Sequence, residues 1–324
     1  MDRWWGWDLS YHYFRAGQRR RRNLRVIGRN VSPFDPPALP EGPPGPTNFP
    51  GEPPTGKLYV GVRESAGDNV VTRYETPAGA VLGVHRMFFQ TSQSDATMAA
   101  VCEAELAAGR LPWMSFKTPT PWSTVTQSYL ENRIGVIADI TSGPVWLTVW
   151  HEPENDLTGG NTIADWLTMQ ENTRAALDNL APHNIVFAPV FMSFTWNPAS
   201  GRDPDDWWTP DAGWDFVGVD AYNSDPEPLH DLPPWPAILA WVDAHDLKLG
   251  LGEWGIDPVV SSASKHIYMQ QTWDDLVAET SPHIICAAYY DSSAAEDWRL
   301  SSTGQGLAKF RELMADANAY HYTD

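Results

Sequence analysis

Eight short apolar runs, most of them separated by segments with helical spacing, predict an α/β protein. The runs are almost continuously apolar instead of alternating, which is how strands buried on both faces of a parallel sheet read. Eight such units over residues 56–324 match the size of a (β/α)8 TIM barrel, ~250 residues. A doubly wound open sheet is the alternative, but it usually has fewer strands and a Gly-rich first turn. The predicted architecture is therefore a barrel preceded by an extended Arg- and Pro-rich N-terminal segment.

That segment, residues 1–55, reads differently from the rest. Trp4, Trp5, Trp7, Tyr11, Tyr13 and Phe14 are followed by Arg15, by the block Arg19 to Arg22, and by Arg25 and Arg29. Ten prolines then fall between Pro33 and Pro54, interleaved with glycine, a composition that extends the chain and buries little. The basic block reads as a solvated arm, or as an arm docking the globular part to a larger assembly with the aromatic run as its anchor.

The first run is 57–62 and the second 80–89. Ser94 or Asp95 caps a helix through Ala108 that Gly109 ends. The third run is 111–117, followed by helical spacing over 123–140. The fourth is 145–152. Thr162 or Asp165 then opens a helix with Ile163, Trp166, Leu167, Leu177 and Leu180 on one face. The fifth run is 184–191 and the sixth 214–222. A helix begun by prolines covers 234–245, since Pro suits a first helical turn. The seventh run is 248–253, followed by a helix over 264–279. The eighth is 283–291, and a closing helix covers 303–318. The gaps 63–79 and 192–213 are irregular, as the long strand-to-helix loops of a barrel often are.

A formal net charge of −19 argues against a nucleic-acid surface. Nothing reaches the ~18 apolar residues of a membrane span, and the N-terminus shows no signal-peptide core. Cys102 and Cys286 read as small buried hydrophobes, neither a disulfide framework nor a metal site. Seventeen tryptophans exceed what an ordinary core needs; most fill core or crevices, and the remainder suit a cleft where indole stacks on the C–H face of a sugar.

Functional residues of a barrel sit at the C-terminal ends of its strands. Those ends supply Arg86 in the second run, His151 and Glu152 in the fourth, Asp220 and Tyr222 in the sixth, Glu253 and Trp254 in the seventh, and Tyr290 and Asp291 in the eighth. Pro153 cannot donate to a ladder, so the fourth strand stops near Glu152. Ends of strands four and seven face each other across a closed barrel. Two carboxyl groups flanking a cleft are the equipment for glycosidic bond cleavage, one protonated to serve the leaving oxygen, the other ionised to attack. Each residue also has a plainer reading: Glu152 as a strand end or ion pair, Arg86 as a structural counterion, Asp220 as an acceptor of backbone donors, Tyr222 as packing.

Other motifs fit less well. Gly250 to Gly255 formally matches G-x-G-x-x-G, but the following Ile256, Asp257 and Pro258 open no helix to receive a pyrophosphate. His151-Glu152 lacks the second histidine of a zinc-binding H-E-x-x-H, and no G-x-S-x-G elbow occurs.

With His151-Glu152 at strand four, Asp220 and Tyr222 at strand six, and Glu253, Trp254 and Gly255 at strand seven, the chain resembles glycoside hydrolase family 26 over residues 57–318. That family belongs to the clan of retaining (β/α)8 glycosidases and includes endo-β-mannanases and some enzymes of other β-glucans and xylans. The resemblance implies Glu152 as general acid/base and Glu253 as nucleophile. It implies His151 where most of the clan has Asn, Tyr222 steering the nucleophile, and Trp254, Arg86 and Asp220 on the substrate side. It implies no metal and no cofactor. Carboxyls about 5–5.5 Å apart would give retention. After the acid/base the chain reads Pro153, Glu154, Asn155, Asp156, a departure from the mannanase pattern that bears on the substrate and not on the two-glutamate chemistry.

The expected partner is a polysaccharide or oligosaccharide, mannan-like or a related β-glucan or envelope glycan, with no nucleic acid and no membrane insertion. That substrate class favours an extracellular or virion-associated setting. The alternatives are a glycan-binding barrel without turnover, and an assembly component whose residues 1–55 attach while the barrel grips or digests a cell-envelope polysaccharide.

Overall fold

The computed structural model describes residues 49–223, 228–256, 262–279, 284–293, 298–301 and 304–322. The aromatic and basic arm and most of the Pro-rich linker lie outside the described residues. So do parts of the segments before the helix expected at 264–279 and before the closing helix.

The strands are β1 (Leu58–Glu64), β2 (Val84–Phe89), β3 (Leu111–Phe116), β4 (Val145–Val149), β5 (Ile185–Phe187), β6 (Val190–Met192), β7 (Val217–Asn223), β8 (Leu249–Ile256), β9 (Ile284–Asp291) and β10 (Ala319–Tyr320). All pairings are parallel, in the order β5-β4-β3-β2-β1-β9-β8-β7-β6. The two ends of that path, β5 and β6, are halves of the fifth run, so the ring closes through one continuous stretch of chain. Pro189 explains the split. The N–H of Ala188 still bonds Leu147 on the β4 side at 3.0 Å, whereas the Pro189 carbonyl accepts from Gly218 on the β7 side at 2.8 Å. A residue without an N–H is where the strand exchanges one neighbour for the other.

Helices fill most gaps: α1 (Thr76–Ala78, continuing a wide turn over Val71–Glu75), α2 (Asp95–Ala107), α3 (Gln127–Ile140), α4 (Ile163–Leu180), α5 (Trp235–Ala244), α6 (Ser262–Ala278) and α7 (Gln305–Met314). Their starts follow side-chain chemistry. Ser94, Thr126 and Thr162 each accept a backbone N–H of the first turn, at 3.2, 3.2 and 3.1 Å. The gap 192–213 is a chain of short 3-10 turns.

Two boundaries moved for tertiary reasons. The second run, expected from residue 80, begins as a strand at Val84 because β10 pairs with Leu58 and Tyr59 of β1 and takes that edge. Gly83 permits it: a Cβ there would lie 2.6 Å from the Tyr320 carbonyl oxygen. The closing helix ends at Met314 to leave chain for this strand.

Inside the barrel, Trp113 fills the waist. Its indole N–H donates to Thr148 at 3.0 Å, and Gly218, Gly250 and Gly252 surround it. A Cβ on Gly218 or Gly250 would come within 2.8 or 3.0 Å of the ring, so this cross-section is one large side chain fitted by small ones. Below it Trp146 and Phe216 pack together, and Phe49 seals them, stacked on Phe216 at 5.6 Å. Pro50 accepts the Trp146 indole N–H at 3.2 Å. Among the described residues, no helix is long and apolar enough to cross a membrane.

Candidate active site

Above Trp113 the barrel interior turns from apolar to charged. Arg86, from the middle of β2, is fully buried, with its guanidinium 5.0 Å from the Trp113 ring and 4.4 Å from the Phe88 ring. A guanidinium stays protonated in proteins, so burial, which works against its charge, must be answered by nearby anions. Asp220, Glu253 and Glu152 supply that field.

The two glutamates reach this place by different backbone devices. The fourth strand ends at Val149, and both Trp150 (φ 63°) and Glu152 (φ 49°) take the left-handed conformation before the 3-10 turn Pro153–Asn155. Non-glycine residues rarely adopt it, and such strain collects at functional sites. The N–H of Glu152 bonds the Val190 carbonyl at 2.8 Å, anchoring the turn to β6. In β8 the device is a bulge. Val219 pairs with Leu251 and Asp220 with Glu253, so Gly252 is the extra residue. Gly252 and Glu253 therefore both face the interior. A Cβ on Gly252 would stand 2.7 Å from Oδ1 of Asp220, so the missing side chain makes room for that carboxyl.

Four carboxyls converge here. Burial raises the proton affinity of Glu253 to about 7, helped by the charge of Glu152 and opposed by Arg86 and by the Tyr222 hydroxyl, which donates to Oε2. Burial also raises Glu152, while Lys117 pulls it down. Asp220 rises well above the carboxylate range through burial and through Glu253 and Glu152. Among the described residues no hydrogen-bond donor reaches either Asp220 oxygen, and the Asp220 and Glu152 carboxyls act on one another's proton affinity. A proton on either one would let the two carboxyls bond, since ionised oxygens only accept. Glu154, buried beside them, is raised to about 8.

The predicted site residues separate into three groups. Glu152, Glu253, Asp220, Tyr222 and Arg86 come together. His151 joins them at the rim, its ring 4.8 Å from Phe88, and burial with Lys117 and Arg86 holds it neutral. Trp254 does not join them. The bulge restores alternation one residue late, so Trp254 pairs with Ala221 and packs edge-on against Tyr289 at 5.0 Å, in the layer between strands and helices. Asp291 also serves the frame: it is fully buried and accepts from Arg73, the Tyr74 hydroxyl and the N–H of Leu300.

The geometry adds residues that sequence reasoning passed over. Lys117, just past β3, bridges Asp156 at 2.8 Å, lies 4.1 Å from the Trp150 ring centre and acts on Glu152. Arg63, in β1, lowers the proton affinity of Glu253. Tyr290, already named at the end of the eighth run, flanks Tyr222 at 6.1 Å, with Trp298 at 4.6 Å. Arg63 and Lys117 also lie at or beside strand C-termini, so the strand-end rule applied to every run would have found both. Among the loop tryptophans, Trp122, Trp196, Trp207 and Trp298 are buried and Trp208 is half-buried. Trp207 packs on Trp166, and Trp196 on Phe191 and Trp241.

Fold and site together define a class: an α/β barrel with opposed carboxyls at the C-terminal ends of its fourth and seventh ring strands. No family model matches the sequence, and no curated protein sequence matches it. Solved structures do match. An endo-β-1,4-mannanase double mutant of Cellulomonas fimi aligns at 14% identity over 83% of this chain and 73% of its own, with a TM-score of 0.60. A GH26 protein of a Muricauda species aligns at 12% identity over 83% of this chain and 88% of its own, TM-score 0.59. The catalytic domain of a GH26 endo-β-1,4-mannanase from a Bacillus species aligns at 12% identity over 82% and 88%, TM-score 0.58. At these identities the likeness is one of fold, and it agrees with the resemblance read from the strand-end residues.

Proposed function

We propose that the protein is a retaining β-glycosidase that hydrolyses a polysaccharide, mannan-like or a related β-glucan or envelope glycan, by double displacement. The observation that carries this reading is the placement of Glu152, at the end of β4, and Glu253, in β8, at the C-terminal ends of the fourth and seventh ring strands, where the charge of Glu152 acts on Glu253. The Tyr222 hydroxyl and the Arg86 charge favour the anionic form of Glu253, and burial favours the protonated form of Glu152.

In the first step Glu253 attacks the anomeric carbon. The bond to the leaving oxygen breaks, and the Glu152 proton moves to that oxygen. In the second step Glu152 takes a proton from water, the resulting oxygen nucleophile attacks the same carbon, and the ester bond to Glu253 breaks. Glu152 ends protonated and Glu253 ionised, as they began. Asp220 beside Glu152 gives the proton a second resting place, and His151, held neutral, adds no charge to oppose its transfer.

The test is release of reducing ends across a polysaccharide panel, with Glu152→Gln and Glu253→Ala as blanks. Activity in the parent alone is expected, and NMR of the first product should show the retained anomer. An inverted anomer, or turnover surviving in Glu253→Ala, overturns the mechanism.

A further inference from the structure

Glu154 has no part in the two steps above, yet it is buried and held by two donors on one oxygen. It sits two residues past Glu152 in the turn Pro153–Asn155 and is buried. Its Oε1 accepts the backbone N–H of Met192 at 3.0 Å and the hydroxyl of Thr195 at 2.8 Å, at the end of β6 and just beyond it. Its Oε2 is buried and meets no donor among the described residues. Arg202 comes near, but it donates to the backbone carbonyl of Glu154 and to the Thr195 hydroxyl, each at 3.4 Å.

The charged groups that face this place are Glu152 of its own segment, whose charge raises Glu154, Asp220 of β7, and Arg202 from beyond β6, which holds the Glu154 backbone carbonyl. Lys117 pairs with Asp156, and Arg86 faces Asp220, Glu253 and Glu152. A carboxylate at Glu154 would leave one bare, dry oxygen among other acids, a costly arrangement. A carboxylic acid puts its proton on that oxygen and loses neither bond on the other.

We propose that Glu154 is a positioning residue, a neutral carboxylic acid that pins the turn carrying Glu152 to the loop after β6 without adding charge to the barrel mouth. This rests on the assignment of Glu152 as acid/base. The side-chain bonds to Met192 and Thr195 act alongside the backbone bond from Glu152 to Val190, so the left-handed turn is held at both ends. Burial, with the charge of Glu152, raises the Glu154 proton affinity to about 8, in keeping with a proton retained at neutral pH.

Glu154→Gln and Glu154→Ala, compared with the parent as full chains, test it. Gln copies the neutral acid, keeping an oxygen for the two donors and N–H groups in place of the O–H. Its kcat/KM should stay within about threefold of the parent, with both limbs of the pH profile unmoved. Ala removes the acceptor, and kcat should fall about tenfold or more with KM little changed. At pH 6.5 the infrared carbonyl band of protonated carboxyls should lose intensity in Glu154→Gln, and that difference should vanish as the parent passes pH 8. The melting temperature of the parent should drop relative to Glu154→Gln over the same range.

A Glu154→Gln profile whose alkaline limb moves down by half a pH unit or more overturns the proposal, because a charge would then have been acting on Glu152. An unchanged infrared band overturns it as well. The infrared and melting arms need no substrate, so they judge the proton even if every glycan is refused; a blank panel overturns the proposed function instead.

Discussion

The two carboxyl-bearing rims of the barrel solve one steric problem in opposite ways. At β8 the glutamate stays inside the ladder, and a bulge turns it inward, so Glu253 is held by pairing on one side and by the Tyr222 hydroxyl at its tip. At β4 the ladder has already ended, and Glu152 hangs on a left-handed turn stitched to the next loop by a few hydrogen bonds. The difference suits their proposed chemistry. A nucleophile must meet one carbon along one line, whereas an acid/base must serve a departing oxygen and then a water. The first rim is stiff because its neighbours are strands; the second is specific because several donors converge on it.

Removing either glutamate should have the largest effect. Glu253→Ala is expected to lose about 10⁴-fold or more in kcat, measured by reducing-end release, because the proposed mechanism makes Glu253 the nucleophile. Glu152→Gln should lose less on substrates whose leaving group needs no proton. Equal losses on both substrate types would erase the distinction between the rims.

Filling the bulge comes next. Gly252→Ala sets a methyl 2.7 Å from Asp220 Oδ1. Because the neighbours are a buried carboxyl, the Val190 side chain and the Trp113 ring, about 1–3 kcal/mol of stability should go, read by urea denaturation, and the pH dependence of activity should shift as Asp220 is displaced. An ordinary surface-like response would mean that the bulge is not what aims Glu253.

Tyr222→Phe sharpens the same rim without disturbing packing. It removes a donor to a buried carboxylate, a loss of about 1.5–3 kcal/mol where the acceptor is charged. The hydroxyl favours ionised Glu253, so the acidic limb of kcat/KM, set near 7 in the parent, should move to higher pH. A limb that stays in place would separate Tyr222 from Glu253.

The smallest effect on chemistry, and a plain one on stability, belongs to Trp254→Leu. The side chain faces the helix layer, so KM should hold while the melting temperature falls.

Stability should also decline through mildly alkaline pH. His85 is raised to about 9 because its bonds to Glu105 and Glu64 outweigh burial. A group whose folded-state proton affinity is raised contributes stability fully below its unfolded value and loses it as pH climbs through the folded one. For His85 that window runs from about 6.5 to about 9. For Glu154, raised from 4.5 to about 8, the same sign applies. Chemical denaturation between pH 6.5 and 9 should show the fall, and Glu154→Gln should remove part of it.

The sequence by itself determined the class of fold and the candidate pair. Runs apolar on both faces have no stable home except a covered parallel sheet, and Pro153 marks a strand end wherever the chain folds. Caps at Ser94 and Thr162 were readable because capping is a local bargain between a side chain and its own first turn. Tertiary structure alone decided which face each residue presents near the rim. Period-two reasoning cannot detect an inserted residue, so the bulge at Gly252 that sends Glu253 inward and Trp254 outward was invisible until β7 was laid beside β8. The late start of β2 likewise depends on β10, which arrives from the far end of the chain. The proton affinities of Glu152, Glu154, Asp220 and Glu253 follow the same logic, because burial and neighbouring charge are properties of a place in space and not of a position along the chain.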